Sequence, residues 1–193
     1  MYEVLAKSIR EKVFLNEDEM QLCASFFTPK KLRKKQYLLQ EGDVCRYTAF
    51  VEKGALRSYH VDKKDQEHLI QFAFEGWWIA DSYSFLTEEP SAYNIDALED
   101  AELLLLTLPA QEELLLKVPK MERYFRILLQ KSLIAMQRRV VSSLSYTAEE
   151  KYIKLMEAYP NISQRVAQQQ IASYLGITPE TLSRIRKQLA SGK

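Results

Sequence analysis

Between Gln168 and Leu189 the chain must end one helix and begin another within three residues, and few folds accommodate that demand. Ile171, Ala172 and Leu175 fall at helical spacing and give a short helix one apolar face. Gly176 follows, the residue type that most readily adopts the left-handed conformation ending a helix. Thr178 is a good N-cap, Pro179 takes the first helical position where its missing N–H costs nothing, and Glu180 complements the helix dipole. At about 100° per residue, Leu182, Ile185 and Leu189 gather on one side of the second helix. Glu180, Arg184 and Lys187 gather on the other, with Ser183 nearby. Helix, glycine turn and capped helix make the signature of a helix-turn-helix. An ordinary helical hairpin with a solvated charged face is the alternative reading of the same segment.

The charged face suits duplex DNA. Arg184 can donate two hydrogen bonds to guanine O6 and N7, Glu180 can accept from cytosine N4, and Lys187 can meet a phosphate. Gln168, Gln169 and Gln170 open the first helix, where amides and helix N–H groups can anchor backbone phosphates. Thr178, Pro179, Thr181 and Ser183 complete the expected DNA-binding set. From Asn161 to Lys193 the cations Arg165, Arg184, Arg186, Lys187 and Lys193 face a single acid, Glu180, whereas the rest of the chain is acidic on balance. A cationic end on an acidic body points to phosphate.

Other chemistry is poorly supplied. Cys23 and Cys45 are too far apart for a CxxC ligand pair and too few for an iron-sulfur site. His60 and His68 lie in strand-like stretches without neighbouring ligand types, so no metal site, no cofactor and no enzymatic activity is expected. No run approaches the roughly 18 apolar residues of a membrane helix, and the opening MYEVLAKSIREKV lacks the apolar centre of a signal peptide. A cytoplasmic protein without a membrane partner is the expectation.

Upstream, Val4, Leu5, Ile9 and Val13 recur at helical spacing, and NEDEM supplies an N-cap with early acids, so residues 1–28 read as two short helices. From Lys30 to Leu108 the pattern becomes β-branched and aromatic runs separated by turn signals: QYLLQ then EGD, YTAFV then EKG, ALRSYHV then DKKD, EHLIQFAF then EG. That spacing predicts an antiparallel barrel or sandwich. After Pro109 and Pro119 comes a stretch free of glycine and proline, a helix of about 26 residues. Met121, Phe125, Leu128, Ser132, Ala135 or Met136, and Val140 step along it in threes and fours, a seam that suits pairing with a second copy. A core helix lying across the barrel fits the same periodicity. The boundaries are 1–118 for the barrel, 119–146 for the long helix and 147–193 for the helix-turn-helix.

In this order of parts the chain resembles the Crp/Fnr family of bacterial transcription regulators. The likeness rests most specifically on IASYLGITPETLSRIRKQL, on EGD at Glu41–Asp43 and on EKGALR at Glu52–Arg57. It implies an α+β fold: an antiparallel, cyclic-nucleotide-binding-like β-barrel, a long dimerisation helix and a C-terminal winged-helix-type helix-turn-helix. Glu180 and Arg184 take the family's base-reading positions. Double-stranded DNA, a second copy of the chain and RNA polymerase are the implied partners, and a palindromic operator is the implied target. Pro179 and Ser183 replace an arginine and a glycine found in one member of that family, the catabolite activator, so no operator sequence carries over.

The resemblance also implies a phosphate cassette, in which a Gly-Glu pair binds ribose and an Arg-Ser pair holds the cyclic phosphate. Ungapped alignment places Ala80-Asp81 and Ser91-Ala92 at those pairs. The arginine is missing, and with it charge-assisted hydrogen bonds of about 1.5–3 kcal/mol each. Asp81 remains a candidate acceptor for a ribose hydroxyl. Ile134 and Ala135 align with the residues that meet the purine, and Trp78, Ser82 and Tyr83 complete the candidate effector pocket. Trp77 and Tyr93 add further aromatic surface. Cyclic AMP is not expected to bind in the usual way, and another small-molecule effector stays open. A ligand-sensing module that binds protein rather than DNA is the rival function, and a cupin-like enzyme the second.

Overall fold

Two short helices open the chain, α1 (Glu3–Arg10) and α2 (Glu17–Ser25). The expected cap of α2 is a full capping box: Asn16 Oδ1 accepts the Glu19 N–H at 2.8 Å, and the Glu19 carboxylate accepts the Asn16 N–H at 2.9 Å. The start of α1 is held from a distance. Glu52, in the EKG turn, accepts the Val4 and Leu5 N–H groups at 2.8 and 3.1 Å, satisfying donors that a helix cannot pair internally.

The strands that follow are β1 (Thr28–Leu32), β2 (Tyr37–Leu39), β3 (Thr48–Lys53), β4 (Leu56–Val61), β5 (Glu67–Ala73), β6 (Trp78–Ile79), β7 (Asn94–Ala97) and β8 (Ala101–Leu106). They form two four-stranded sheets, ordered β1-β8-β3-β6 and β2-β7-β4-β5, whose recorded pairings are antiparallel. The result is an open roll rather than a closed barrel. Leu56, Ala49, Val51, Ile79, Ile95 and Leu103 from both sheets fill its interior. Short helix α3 (Ser82–Thr87) lies between β6 and β7 in the chain.

The computed structural model describes residues 2–191. Gly54 turns β3 into β4 at φ +93°, and a Cβ there would lie 2.6 Å from the Asp100 carbonyl oxygen and 2.8 Å from the Ala101 Cα. Both obstacles are backbone. Gly54→Ala is therefore expected to destabilise the roll by more than the ~1 kcal/mol typical of a left-handed position alone, read as a lowered urea midpoint.

A second apolar cluster joins α1 and α2 to Phe50, Leu104, Leu106 and the start of α5 (Lys120–Ser145), which follows α4 (Leu108–Lys117). Tyr124 is fully buried there; its hydroxyl accepts from Trp78 Nε1 at 3.1 Å and lies 3.1 Å from Ser8 Oγ. Met121 is also fully buried in this cluster, so it belongs to the chain's own core and not to a seam between copies. Beyond its first turns α5 leaves that core: among its residues only Met121 and Tyr124 are buried.

The chain divides into two compact units. Residues 1–60 and 71–130 form one unit, and residues 61–70 with 131–193 form the other. The boundary thus falls inside α5, and the tip of the β4–β5 hairpin belongs with the C-terminal helices. Those are α6 (Ala148–Ala158), α7 (Ile162–Arg165), α8 (Gln168–Leu175) and α9 (Pro179–Ala190). Leu155, Ile162, Val166, Ile171, Ala172, Leu175, Leu182 and Ile185 are the buried apolar residues of this unit. The helices of the expected helix-turn-helix are present, and among the described residues no strand follows β8. No helix among the described residues is long and apolar enough to cross a membrane.

Candidate nucleic-acid interface and effector pocket

The turn between α8 and α9 takes the geometry that the sequence demands. Gly176 adopts φ +67°, its N–H donates to the Ser173 carbonyl at 3.1 Å, and the Ile177 N–H donates to the Ala172 carbonyl at 3.0 Å. This pair of bonds is a Schellman motif, which satisfies the last carbonyls of α8. Thr178 Oγ1 then accepts the Thr181 N–H at 3.2 Å, with Pro179 at the first position of α9.

Leu182 and Ile185 anchor α9 in the unit's core, while Glu180, Arg184 and Lys187 are exposed on its other side. Leu189, expected on the packed face, is 39% exposed because it sits in the last turn, past the reach of that core. Ser183 and Thr181 are half-buried, and Thr178 and Pro179 are exposed. Glu180's own backbone N–H and the Thr178 hydroxyl hold its carboxyl below the usual carboxylate range, so it is an ionised acceptor at neutral pH. Gln168 and Gln169 are exposed at the start of α8, and Gln170 is half-buried. Lys193, the last of the expected cations, lies outside the described residues.

The effector-pocket residues fare differently. Asp81 and Ser91 do meet, but they meet each other. Ser91 Oγ donates to Asp81 Oδ2 at 2.7 Å, and Asp81 Oδ1 accepts the Tyr83 and Ser84 N–H groups at 3.0 and 3.2 Å as the N-cap of α3. The carboxylate expected to receive a ribose hydroxyl is therefore already engaged, and both residues are buried. The EGD turn closes the site further: the Gly42 N–H donates to the Ser91 carbonyl and the Ser91 N–H to the Asp43 carbonyl, each at 2.8 Å.

The remaining candidates are scattered. Trp78 is core, packed edge-on against Phe50 at 5.4 Å and tilted against Phe125 at 5.5 Å. Tyr83 is exposed and donates to Glu89 at 2.6 Å, and Ser82 and Ala92 are also exposed. Ile134 and Ala135 lie on the exposed part of α5. A cavity of about 190 Å³ opens beside β2, lined by Tyr37, Leu39, Val44, Arg46, Tyr47 and Ile95 among others, and none of the expected pocket residues lines it. Cys23 and Cys45 are buried free thiols; burial pushes Cys23 up to about 12, which keeps it protonated.

On α5 the expected seam is displaced. Phe125 and Leu128 are half-buried against the chain's own core, and Ser132 and Ala135 are exposed but offer no bulk. The exposed bulky row is Leu129, Leu133, Met136, Val140 and Leu144, of which only Met136 and Val140 were expected. Sequence reasoning also missed Ser173 and Arg139, which bind the hairpin tip, and the buried pair Arg57–Asp96. Arg57 Nε and Nη2 donate to the two Asp96 oxygens at 2.8 and 2.9 Å, and its guanidinium lies 4.1 Å from the centre of the Tyr59 ring. The cross-strand register pairs Arg57 with Asp96, but no local pattern announces it.

A family description, "Cyclic nucleotide-binding domain", matches residues 29–117, the span of the roll and α4. The "Anaerobic regulatory protein" of Haemophilus influenzae is 23% identical over 186 residues, covering 89% of this chain and 70% of that protein. In sequence the chain is similar to regulators of the Crp/Fnr type. Among solved structures, the c-di-GMP-responsive global regulator CLP of Xanthomonas campestris superposes with a TM-score of 0.74 at 13% identity, covering 92% of this chain and 93% of that one. FixK2 from Bradyrhizobium japonicum gives 0.71 at 20% identity, over 86% and 85%. At these identities the structures establish the fold: an antiparallel roll, a long helix and C-terminal helices. Asp81 and Ser91, the two positions that the resemblance aligns with a phosphate cassette, are bonded to each other.

Proposed function

We propose that this chain is a DNA-binding transcription regulator, acting as a homodimer on a two-fold symmetric operator. The observation that carries the reading is α9, an N-capped helix anchored by Leu182 and Ile185 that leaves Glu180, Arg184 and Lys187 exposed. Arg184 reads guanine, Glu180 reads cytosine, and Lys187 with Gln168 and Gln169 contacts phosphate. The exposed apolar row on α5 supports pairing of two copies through the segment 119–146, between the roll of 1–118 and the helix-turn-helix of 147–193. Paired reading helices in this class of protein meet successive major grooves about 34 Å apart. Regulators that the chain resembles are not enzymes, and they favour a cytoplasmic protein that acts with RNA polymerase. The closed Asp81–Ser91 site argues for an effector other than cyclic AMP, or a protein partner.

Selection of bound duplexes from a random pool, with and without cyclic AMP, tests this directly. A palindromic sequence should emerge and cyclic AMP should leave its affinity unchanged. Arg184→Ala should relax preference at one base pair per half-site, a loss of about 1–3 kcal/mol in discrimination, while Lys187→Ala weakens all duplexes and lowers the salt slope by about one. Enrichment of no duplex would remove the DNA reading, and a clear cyclic AMP effect would remove the pocket argument.

A further inference from the structure

The cavity beside β2 combines an apolar lining with two opposite charges that bond to nothing else. Leu39 and Ile95 line it as buried residues and Val44 as a half-buried one. Tyr37 and Tyr47 add two partly open aromatic rings. Asp43 and Arg46 line it as well, and both are exposed. Among the described residues neither the Asp43 carboxylate nor the Arg46 guanidinium makes a hydrogen bond or an ion pair, with each other or with any third group. Opposite charges thus share one cavity without neutralising each other.

The lining is held in place from outside the cavity. The Tyr59 hydroxyl donates to that of Tyr37 at 3.3 Å, and the Arg57 guanidinium, bound to Asp96, lies over the Tyr59 ring. In the loop after β2, the Cys45 N–H donates to Ser84 Oγ at 2.9 Å, Cys45 Sγ donates to the Tyr47 carbonyl at 3.3 Å, and Val44 bridges to Pro90. Between Tyr37 and Leu39 the register of β2 on β7 shifts, an irregularity of the kind that re-aims side chains beside a site. A preformed hollow with an apolar lining and a few polar groups is the usual form of a small-molecule site.

Size and charge narrow the occupant. The volume of about 190 Å³ falls below the ~300–1,000 Å³ of pockets for larger ligands, so the site suits a molecule smaller than a nucleotide. A simple anion would leave Asp43 facing a like charge, and a simple amine would meet Arg46 in the same way. A molecule carrying both charges satisfies both residues.

We propose that this cavity binds a free α-amino acid with an apolar side chain: its carboxylate on Arg46, its ammonium on Asp43 and its side chain against Leu39, Val44 and Ile95. The two tyrosine rings favour an aromatic side chain, packed edge-on or offset. The site lies wholly within the unit formed by residues 1–60 and 71–130, and it includes neither Asp81 nor Ser91.

Methyl NMR of the whole protein, with L-phenylalanine as the probe, tests the site without DNA and so stands apart from the DNA reading. The methyl resonances of Leu39, Val44 and Ile95 should shift and saturate. Phenylacetate and phenethylamine, each lacking one of the two charges, should bind about tenfold more weakly, the effect of one lost bond to a charged group. Arg46→Gln should abolish the preference over phenethylamine and keep that over phenylacetate, and Asp43→Asn should do the reverse. Both side chains are exposed and unbonded, so the fold tolerates either change. No saturable shift at these methyls, equal affinity for the three probes, or preferences that survive both substitutions would each overturn the site.

Discussion

A chain carrying Leu133→Asp and Met136→Asp is expected to remain folded, to sediment as a monomer, and to lose affinity for its palindromic operator by about 100-fold or more. Both side chains are well exposed, 57% and 64%, so their replacement removes little from the fold, within about 0.5 kcal/mol each at an ordinary surface position. Their place in a row matters more. Leu129, Leu133, Met136, Val140 and Leu144 follow one another by steps of three and four, and each is at least half exposed, Leu144 as much as 80%. A helix with such a stripe buries it against another, and carboxylates in the middle of the seam would face each other across it. Loss of pairing turns a two-site contact with high effective concentration into two independent weak ones. Sedimentation and duplex titration measure the two halves of the claim. A variant that still sediments as a dimer with unaltered operator affinity would place the interface elsewhere.

The second large effect is on stability. Asp96→Ala removes the carboxylate from a bidentate pair whose side chains are each only 10% exposed, taking two charge-assisted hydrogen bonds from the buried Arg57 guanidinium. Breaking a buried pair from one side costs about 3–5 kcal/mol, a large share of a domain's total of about 5–15 kcal/mol. The thermal midpoint should fall by about 6–20 °C. The companion variant Arg57→Met with Asp96→Leu replaces the pair by apolar groups and is expected to recover most of the loss, since the penalty comes from keeping a buried guanidinium after its bidentate carboxylate is gone. Thermal denaturation of the three proteins checks the order. Should Asp96→Ala melt within a degree or two of the parent, the pair contributes nothing and Arg57 is satisfied by its other contacts.

The parts of the fold legible in sequence were those fixed by local bonds. The Asn16–Glu19 capping box, the Gly176 turn and the Thr178-Pro179 start depend on residues within a turn of each other, and propensity rules reach that far. The α5 register was not legible, because apolar residues lie on several sides of that helix and the core built by α1, α2, α4, β3 and β8 decides which are consumed. Met121 goes to that distant core and the free row rotates toward Leu129 and Leu133. Asp81 shows a similar limit: alignment places it at a ligand position, and local geometry makes it a helix cap bound to Ser91. The Ser173 and Arg139 bonds span from 69 to 106 residues of chain and have no sequence signal.

The interleaving of the two units bears on how such a regulator can acquire a new target. Its C-terminal unit is assembled from two separate stretches, 61–70 and 131–193. A single recombination point within α5 would join one parent's helix-turn-helix to another parent's hairpin, pairing Ser173 and Arg139 with backbone that did not evolve beside them. Exchange of operator specificity between relatives thus calls either for two junctions or for changes confined to the outer face of α9. The second route leaves every hairpin contact in place, so, with Glu180, Arg184 and Lys187 in the reading role proposed for them, new targets are more accessible by point substitution there than by module swapping.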